Sequence, residues 1–65
     1  MKFEIGKQVL VLMPWWVQVH DDIEPYVQAT VLSVSEKTVT VEYDTPNDGK
    51  QNLVIHELDR ISKIN

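Results

Sequence analysis

Apolar and polar residues alternate along most of the chain, and this alternation predicts five short strands. The clearest case is TVTVEY at residues 38–43, where valines and a tyrosine occupy every second position, as in a strand with one buried face. The other predicted strands cover residues 8–13, 27–34, 51–56 and 61–64. Short polar segments rich in turn-forming residues, SEK at 35–37 and DTPNDGK at 44–50, separate the central strands.

The strand pattern predicts a small all-β fold. The predicted core consists of Val9, Val11, Ala29, Val31, Val34, Val39, Val41, Leu53, Ile55, Leu58 and Ile61. The segment ELDR at 57–60 is too short for a stable helix and is predicted to form one helical or 3₁₀ turn. Four or five short strands in about 60 residues form a small, bent barrel more readily than a sandwich, which takes roughly 100 residues. We therefore expect one domain over residues 1–65, a five-stranded β-barrel with a short 3₁₀ turn near the C-terminus.

Two adjacent tryptophans follow the first predicted strand, at the start of a long loop from Trp15 to Pro25. Pro14 is expected to end the strand, because proline has no N–H for the strand ladder. Neighbouring side chains of an extended chain point to opposite faces, so the two indoles should diverge. Trp15 has the parity of the inward-facing valines of this strand and is predicted to finish the core. Trp16 is then predicted to face outward.

Composition and charge narrow the possible functions. The chain has no cysteine, so it contains no disulfide and no thiolate-zinc site. It also has no apolar run near the roughly 18 residues that span a bilayer, and its first residues, MKFEIGKQ, do not form a signal peptide. These features favour an intracellular location, cytoplasmic or nuclear, and no membrane association. The formal net charge of −4 argues against nucleic-acid binding and favours a basic protein or peptide partner.

The sequence contains no pattern typical of catalysis or of metal binding. His20 and the acidic residues that follow it lie in a single loop, which is typical of a solvated acidic surface. A calcium-loop interpretation of DTPNDG fails, because aligning Gly49 with the turn glycine of such loops puts Pro46 and Ile55 at ligand positions. No serine or threonine lies in a recognisable nucleophile motif. We therefore predict a protein that is not an enzyme and has no metal or cofactor.

The aromatic residues are the stronger functional signal, because they lie near strand ends and in the long loop. A hairpin around residues 35–37 is expected to bring Tyr26, at the start of one strand, beside Tyr43, at the end of the next. The first strand should deliver Trp15 or Trp16 to the same rim. Ring faces beside a carboxylate attract a methylated or quaternary ammonium through cation–π contacts of about 0.5–2 kcal/mol each. The candidate ligand-binding residues are Trp16, Tyr26, Tyr43, Asp44, Trp15 and Asn47. The alternative interpretation is that these rings close the open end of a small core.

From Gly6 to Ile61 the chain resembles Tudor domains, which are small SH3-like barrels that often bind methylated lysine or arginine in an aromatic cage. The resemblance rests on the glycine-led first strand ending in PWW, the YVQATV segment, the Tyr-Asp pair that ends the third strand, and the final ELDRI turn. It implies cage-like positions for Trp15 or Trp16, Tyr26, Tyr43 and Asp44. Thr45 stands where the Tudor pattern has a further aromatic residue.

The chain also resembles the SH3-like barrel at the N-terminus of myosin heavy chains. This resemblance rests on VLMP at the end of the first strand, the YVQATV segment, the following hairpin and the tail KIN. In that family the barrel is an accessory module without a cage or catalytic residues.

The predicted function is therefore a non-catalytic protein-interaction module that binds a cationic, possibly methylated, Lys or Arg peptide, or a basic protein surface, at an aromatic rim. The alternatives are an accessory SH3-like barrel that docks on a larger protein, as in myosin, and a small acidic inhibitor of a host or partner protein. The sequence leaves the identity of the partner and the oligomeric state open.

Overall fold

A computed structural model describes residues 3–64 of the 65-residue chain. Its elements in chain order are β1 (Gln8–Leu12), α1 (Trp15–Asp21), β2 (Tyr26–Val34), β3 (Val39–Thr45), β4 (Gly49–Ile55), a 3₁₀ turn (Leu58–Arg60) and β5 (Ile61–Lys63). The five strands form one antiparallel sheet in the order β4-β3-β2-β1-β5. The predicted all-β class, five strands and 3₁₀ turn are confirmed. Within the described residues β4 and β5 each pair with one neighbour, so they are the two edges of the sheet.

Local turn chemistry forms the two central hairpins. In the β2–β3 turn the N–H of Ser35 donates to the carbonyl of Thr38 at 2.9 Å. In the β3–β4 turn the hydroxyl of Thr45 donates to the carbonyl of Gly49 at 2.9 Å and accepts from the N–H of Asp48 at 3.1 Å. Gly49 has a φ of +71°, which a side chain would disfavour, so the Asp-Gly pair marks this turn for a conformational reason.

The core lies on one face of the sheet and is close to the predicted one. Eight predicted core residues are buried: Val9, Val11, Ala29, Val31, Val39, Val41, Ile55 and Ile61. The other three predicted core residues, Val34, Leu53 and Leu58, are half-buried and pack against this cluster. Met13, Val17 and Tyr43 also belong to the buried cluster, although they were not in the predicted core. Met13 and Val17 are buried because the segment after β1 folds back over the sheet.

That segment contains a short helix, so the predicted loop from Trp15 to Pro25 is wrong in its first half. The N–H groups of Val17 and Gln18 donate to the carbonyl of Pro14 at 3.0 and 3.1 Å. The side-chain amide of Gln18 donates to the carbonyl of Met13 at 2.8 Å. Pro14 therefore ends the strand as expected, and it is also the N-cap of a helix, because its carbonyl accepts the first hydrogen bonds of α1.

The helix ends at a left-handed residue. Asp22 has a φ of +54° and its N–H donates to the carbonyl of Gln18, while the N–H of Ile23 donates to that carbonyl at 3.1 Å. A left-handed residue followed by such a backward bond is a common helix C-terminus, and Asp tolerates this conformation better than most residues. The turn directs the chain into β2.

Candidate functional site

The helix α1 presents three large apolar side chains to solvent, and we call Trp15, Trp16 and Val19 the aromatic patch. Their exposed fractions are 74%, 56% and 74%. Val19 lies four residues after Trp15 and three after Trp16, and residues at these spacings are neighbours on a helix surface. The opposite side of the same helix buries Val17, which is 2% exposed. One short helix therefore has one apolar side in the core and a second apolar side that is largely exposed.

The helix also changes the expected directions of the two indoles. Trp16 was predicted to face outward, and its exposure is confirmed. Trp15 was predicted to finish the core, and this prediction is wrong. The parity argument assumes an extended chain, whereas adjacent residues of a helix are only about 100° apart around its axis. Both indoles can therefore remain outside while Val17 fills the core.

Tyr26 is a further exposed aromatic residue, with 59% of its surface accessible. It opens β2 opposite Leu12, the last residue of β1, and the N–H of Met13 donates to the carbonyl of Pro25 at 2.8 Å. These contacts fix Tyr26 beside the segment that leads from β1 into α1. Tyr26 is thus an exposed ring near the start of the helix that carries the aromatic patch.

Tyr43 does not join Tyr26, so the expected pair of neighbouring tyrosines is wrong. Thr30 pairs with Glu42, and continuing this register puts Tyr43 directly across from Ala29. Ala29 lies three residues after Tyr26 in β2. An odd offset places the two tyrosines on opposite faces of the sheet. Tyr43 is only 5% exposed and belongs to the core.

The two remaining sequence candidates lie at the β3–β4 hairpin. Asp44 follows Tyr43 in β3 and is exposed, because alternate residues of a strand face opposite sides. Its Oδ1 accepts from the Nζ of Lys50 at 3.2 Å, in an ion pair whose two side chains are both largely exposed. Asn47 is exposed in the turn between the strands. Asp44 and Asn47 thus face solvent, whereas Tyr43 faces the core.

A buried carboxylate fixes the end of α1 to the sheet. Asp21 is 8% exposed, and its Oδ2 accepts from the hydroxyl of Tyr43 at 3.2 Å. Its Oδ1 lies 2.9 Å from Nδ1 of His20. Burial, and then the negative charge of Asp21, raise the pKa of Tyr43 to about 12, so this hydroxyl stays protonated as a donor. The Asp21–Tyr43 bond holds α1, and with it the aromatic patch, in one orientation.

The surroundings of the helix end are acidic. Asp22 and Glu24 are exposed in the segment after α1, and Asp48 lies in the β3–β4 turn. The hydrogen bond and charge of Asp21, with a smaller contribution from the charge of Asp48, raise the pKa of His20 above its usual 6.5. The charge of Asp48, in the β3–β4 turn, therefore acts on His20 in α1.

This arrangement predicts the titration of His20. Its imidazole should titrate above 6.5 in a proton NMR titration, and Asp21→Asn should lower the midpoint, because the hydrogen bond to Asp21 is the main cause of the raised pKa. A pKa raised in the folded state means that the contact stabilises the fold fully below pH 6.5. That contribution is lost as the pH rises through the raised pKa. An unchanged midpoint in the Asp21→Asn protein would contradict the assignment.

Within residues 3–64, His20 has no hydrogen-bond partner other than Asp21. In the same residues no three His, Asp or Glu side chains are grouped so that they could hold a metal ion. None of the helices in the described part of the chain has the length and apolar character needed to cross a membrane. The groups exposed on and next to α1 are the rings of Trp15, Trp16 and Tyr26 and the carboxylates of Asp22 and Glu24.

The sequence did not point to Val19 as part of the exposed surface, or to Asp21 as the buried residue that anchors α1. Both follow from the helix: Val19 lies four residues after Trp15, and Asp21 lies four after Val17, so each shares a side with its partner. The spacing of Met13, Val17 and Asp21 was the signal for a helix with one inward side.

Comparison of the chain with protein-family models, with curated proteins and with solved structures finds no match.

Proposed function

We propose that this protein is a non-catalytic interaction module of SH3-like architecture that binds a basic peptide or protein surface on the aromatic patch. The observation that carries the proposal is the exposure of two adjacent tryptophans on a helix whose other side is anchored in the core. Exposed apolar groups of this size, bordered by polar residues, are typical of protein-interaction sites. Tryptophan is also among the residues that contribute most to binding energy at such sites.

The charge of the protein supports a basic partner. The net charge is −4, and the exposed Asp22 and Glu24 directly follow the helix. An indole face attracts an Arg or Lys side chain through cation–π contact, and acidic neighbours steer such a group toward the surface. The surface around Trp15 and Trp16 thus combines the two features that favour a cationic side chain.

The proposed surface is more open than an aromatic cage. The Tudor-like arrangement uses Tyr43 as one wall, but this ring is in the core and is hydrogen-bonded to Asp21. Trp15, Trp16 and Tyr26 are the exposed rings that remain. We expect them to contact the side of a basic segment, whether or not its lysines or arginines are methylated. The order of the five antiparallel strands, with a 3₁₀ turn before the last, supports the SH3-like architecture.

Binding is tested by titrating the protein with an arginine-rich peptide while tryptophan fluorescence is recorded. We expect Trp15→Ala and Trp16→Ala each to weaken binding by about two- to thirtyfold, which corresponds to the 0.5–2 kcal/mol of a cation–π contact. Val54→Ala is the matched control, since Val54 is also a large exposed apolar residue, 47% accessible, but lies on β4. It should leave the affinity unchanged.

Two results would contradict the proposal. One is equal binding of a peptide in which citrulline, which is neutral, replaces each arginine. The other is an equal loss of affinity in Val54→Ala and in the tryptophan variants. Circular dichroism of each variant separates a loss of binding from a loss of folding.

A further inference from the structure

A cleft of about 340 Å³ opens where the N-terminal segment, the start of β1 and the end of β5 meet. Its volume is at the lower end of the roughly 300–1,000 Å³ of small-molecule sites. The lining residues that matter for its chemistry are Phe3, Glu4, Lys7, Val9, Lys63 and Ile64. None of them belongs to the aromatic patch, so this cleft is a separate feature of the molecule.

Backbone contacts build the cleft from segments distant in the sequence. The N–H of Lys7 donates to the carbonyl of Glu4 at 3.2 Å, and the N–H of Gly6 donates to the carbonyl of Val31 on β2 at 2.8 Å. Gly6 has a φ of +88°, a conformation that few other residues adopt, so the tight turn requires glycine there. On the other side Val9 pairs with Lys63 across β1 and β5. The two lysines of the cleft are thus carried by a fixed turn and by a paired strand.

Three apolar residues form part of the cleft wall, beside its charged and polar side chains. Val9 is 2% exposed and belongs to the core, and Phe3 is half-buried and packs against the same core. Ile64 adds an aliphatic side chain that is 44% exposed. An apolar body placed in this cleft would remove part of the exposed surface of Phe3 and Ile64 from water.

The charge of the cleft is opposite to that of the whole protein. Lys7 and Lys63 contribute two positive charges against the single carboxylate of Glu4. Among the described residues neither lysine forms an ion pair, whereas Lys50 and Arg60 each do. In a chain with a net charge of −4, this is a local cationic site beside an apolar surface.

From this geometry we infer a second binding site, specific for a small organic anion that carries one acidic group on an apolar body. The acidic group lies between the ammonium groups of Lys7 and Lys63, and the apolar body covers Phe3 and Ile64. The volume admits a ligand smaller than most drugs, such as a medium-chain carboxylate. This site contains no residue of the aromatic patch, so an experiment that contradicts one of the two proposals leaves the other unaffected.

The test uses two probes with the same tail and opposite charges, decanoate and decyltrimethylammonium, in NMR titrations of the isotope-labelled protein. We expect decanoate to shift the amide signals of Lys7, Val9 and Lys63. Decyltrimethylammonium should leave these signals in place, because its charge is repelled by the lysines. Localised shifts with the anion alone support the site.

Lysine variants show whether charge is responsible. Lys7→Gln and Lys63→Gln should each weaken decanoate binding by about two- to fivefold, as expected for an exposed ion pair. Lys37→Gln is the matched control, because Lys37 is exposed in the β2–β3 turn. The inference is wrong if both probes shift the cleft signals equally, if decanoate shifts none of them at millimolar concentration, or if Lys37→Gln has the same effect as the cleft variants.

Discussion

Replacing Tyr43 by alanine is expected to destabilise the fold by about 3–5 kcal/mol, the usual result of deleting a buried aromatic ring. Tyr43 is 5% exposed within the core, and its hydroxyl is a hydrogen-bond donor to the buried carboxylate of Asp21. The substitution removes the ring and also leaves Asp21 without this donor, and an unsatisfied buried polar group adds its own cost. A native domain has a stability of roughly 5–15 kcal/mol, and a chain of 65 residues buries too little surface to be near the upper end.

The measurement is urea unfolding followed by far-ultraviolet circular dichroism. Tyr26→Ala provides the matched control, because it removes the same type of side chain from a residue that is 59% exposed. Its stability should stay within about 0.5 kcal/mol of the parent protein, as for most surface substitutions. If Tyr26→Ala is the more destabilising of the two, the assignment of Tyr43 to the core and of Tyr26 to the surface is wrong.

Placing a carboxylate at position 17 should unfold the protein, whereas the same change two residues later should not. Val17 is 2% exposed on the inner side of α1, and Val17→Asp would bury a charge without a partner. The cost of such a charge is several kcal/mol, even after the structure relaxes. Val19 is 74% exposed in the aromatic patch, so in Val19→Asp the new carboxylate remains in water.

The two variants are compared by thermal unfolding and by the dispersion of amide signals in NMR spectra. We expect Val17→Asp to lack a cooperative transition and Val19→Asp to unfold near the temperature of the parent protein. The pair tests the helix directly, because in an extended segment residues 17 and 19 would lie on the same face and respond alike. Equal stability of both variants would rule out the helix as described.

The strands were predictable from the sequence because alternate residues of a strand face opposite sides of the sheet, so one buried face produces an alternation of apolar and polar residues. In β3, Val39, Val41 and Tyr43 occupy every second position, and all three are buried. The sequence shows this parity directly, including the inward side of Tyr43. The interpretation of Tyr43 as a rim residue set that parity aside, because it placed the residue by its position at the end of a strand beside Tyr26.

The helix was not predictable in the same way. α1 has seven residues, and isolated helices of that length are not stable in water. Tryptophan and valine, which make up four of its seven residues, are moderate helix formers at best. The helix exists because Val17 enters the core and Asp21 bonds to Tyr43, and both contacts depend on the completed sheet. The grouping of Trp15, Trp16 and Val19 on its exposed side therefore became visible only in the fold.

The two edges of the sheet also influence how this protein associates with others. An edge strand exposes unpaired N–H and C=O groups that can recruit a strand from another molecule and lead to aggregation. Here β5 has only three residues and ends in Lys63, and β4 carries the exposed Lys50 next to its turn. A short edge strand, as in β5, and a lysine on an edge, as in β4, are features with which natural sheets discourage such recruitment. The protein can thus carry two exposed tryptophans on its helix while its strand edges resist growth into fibres.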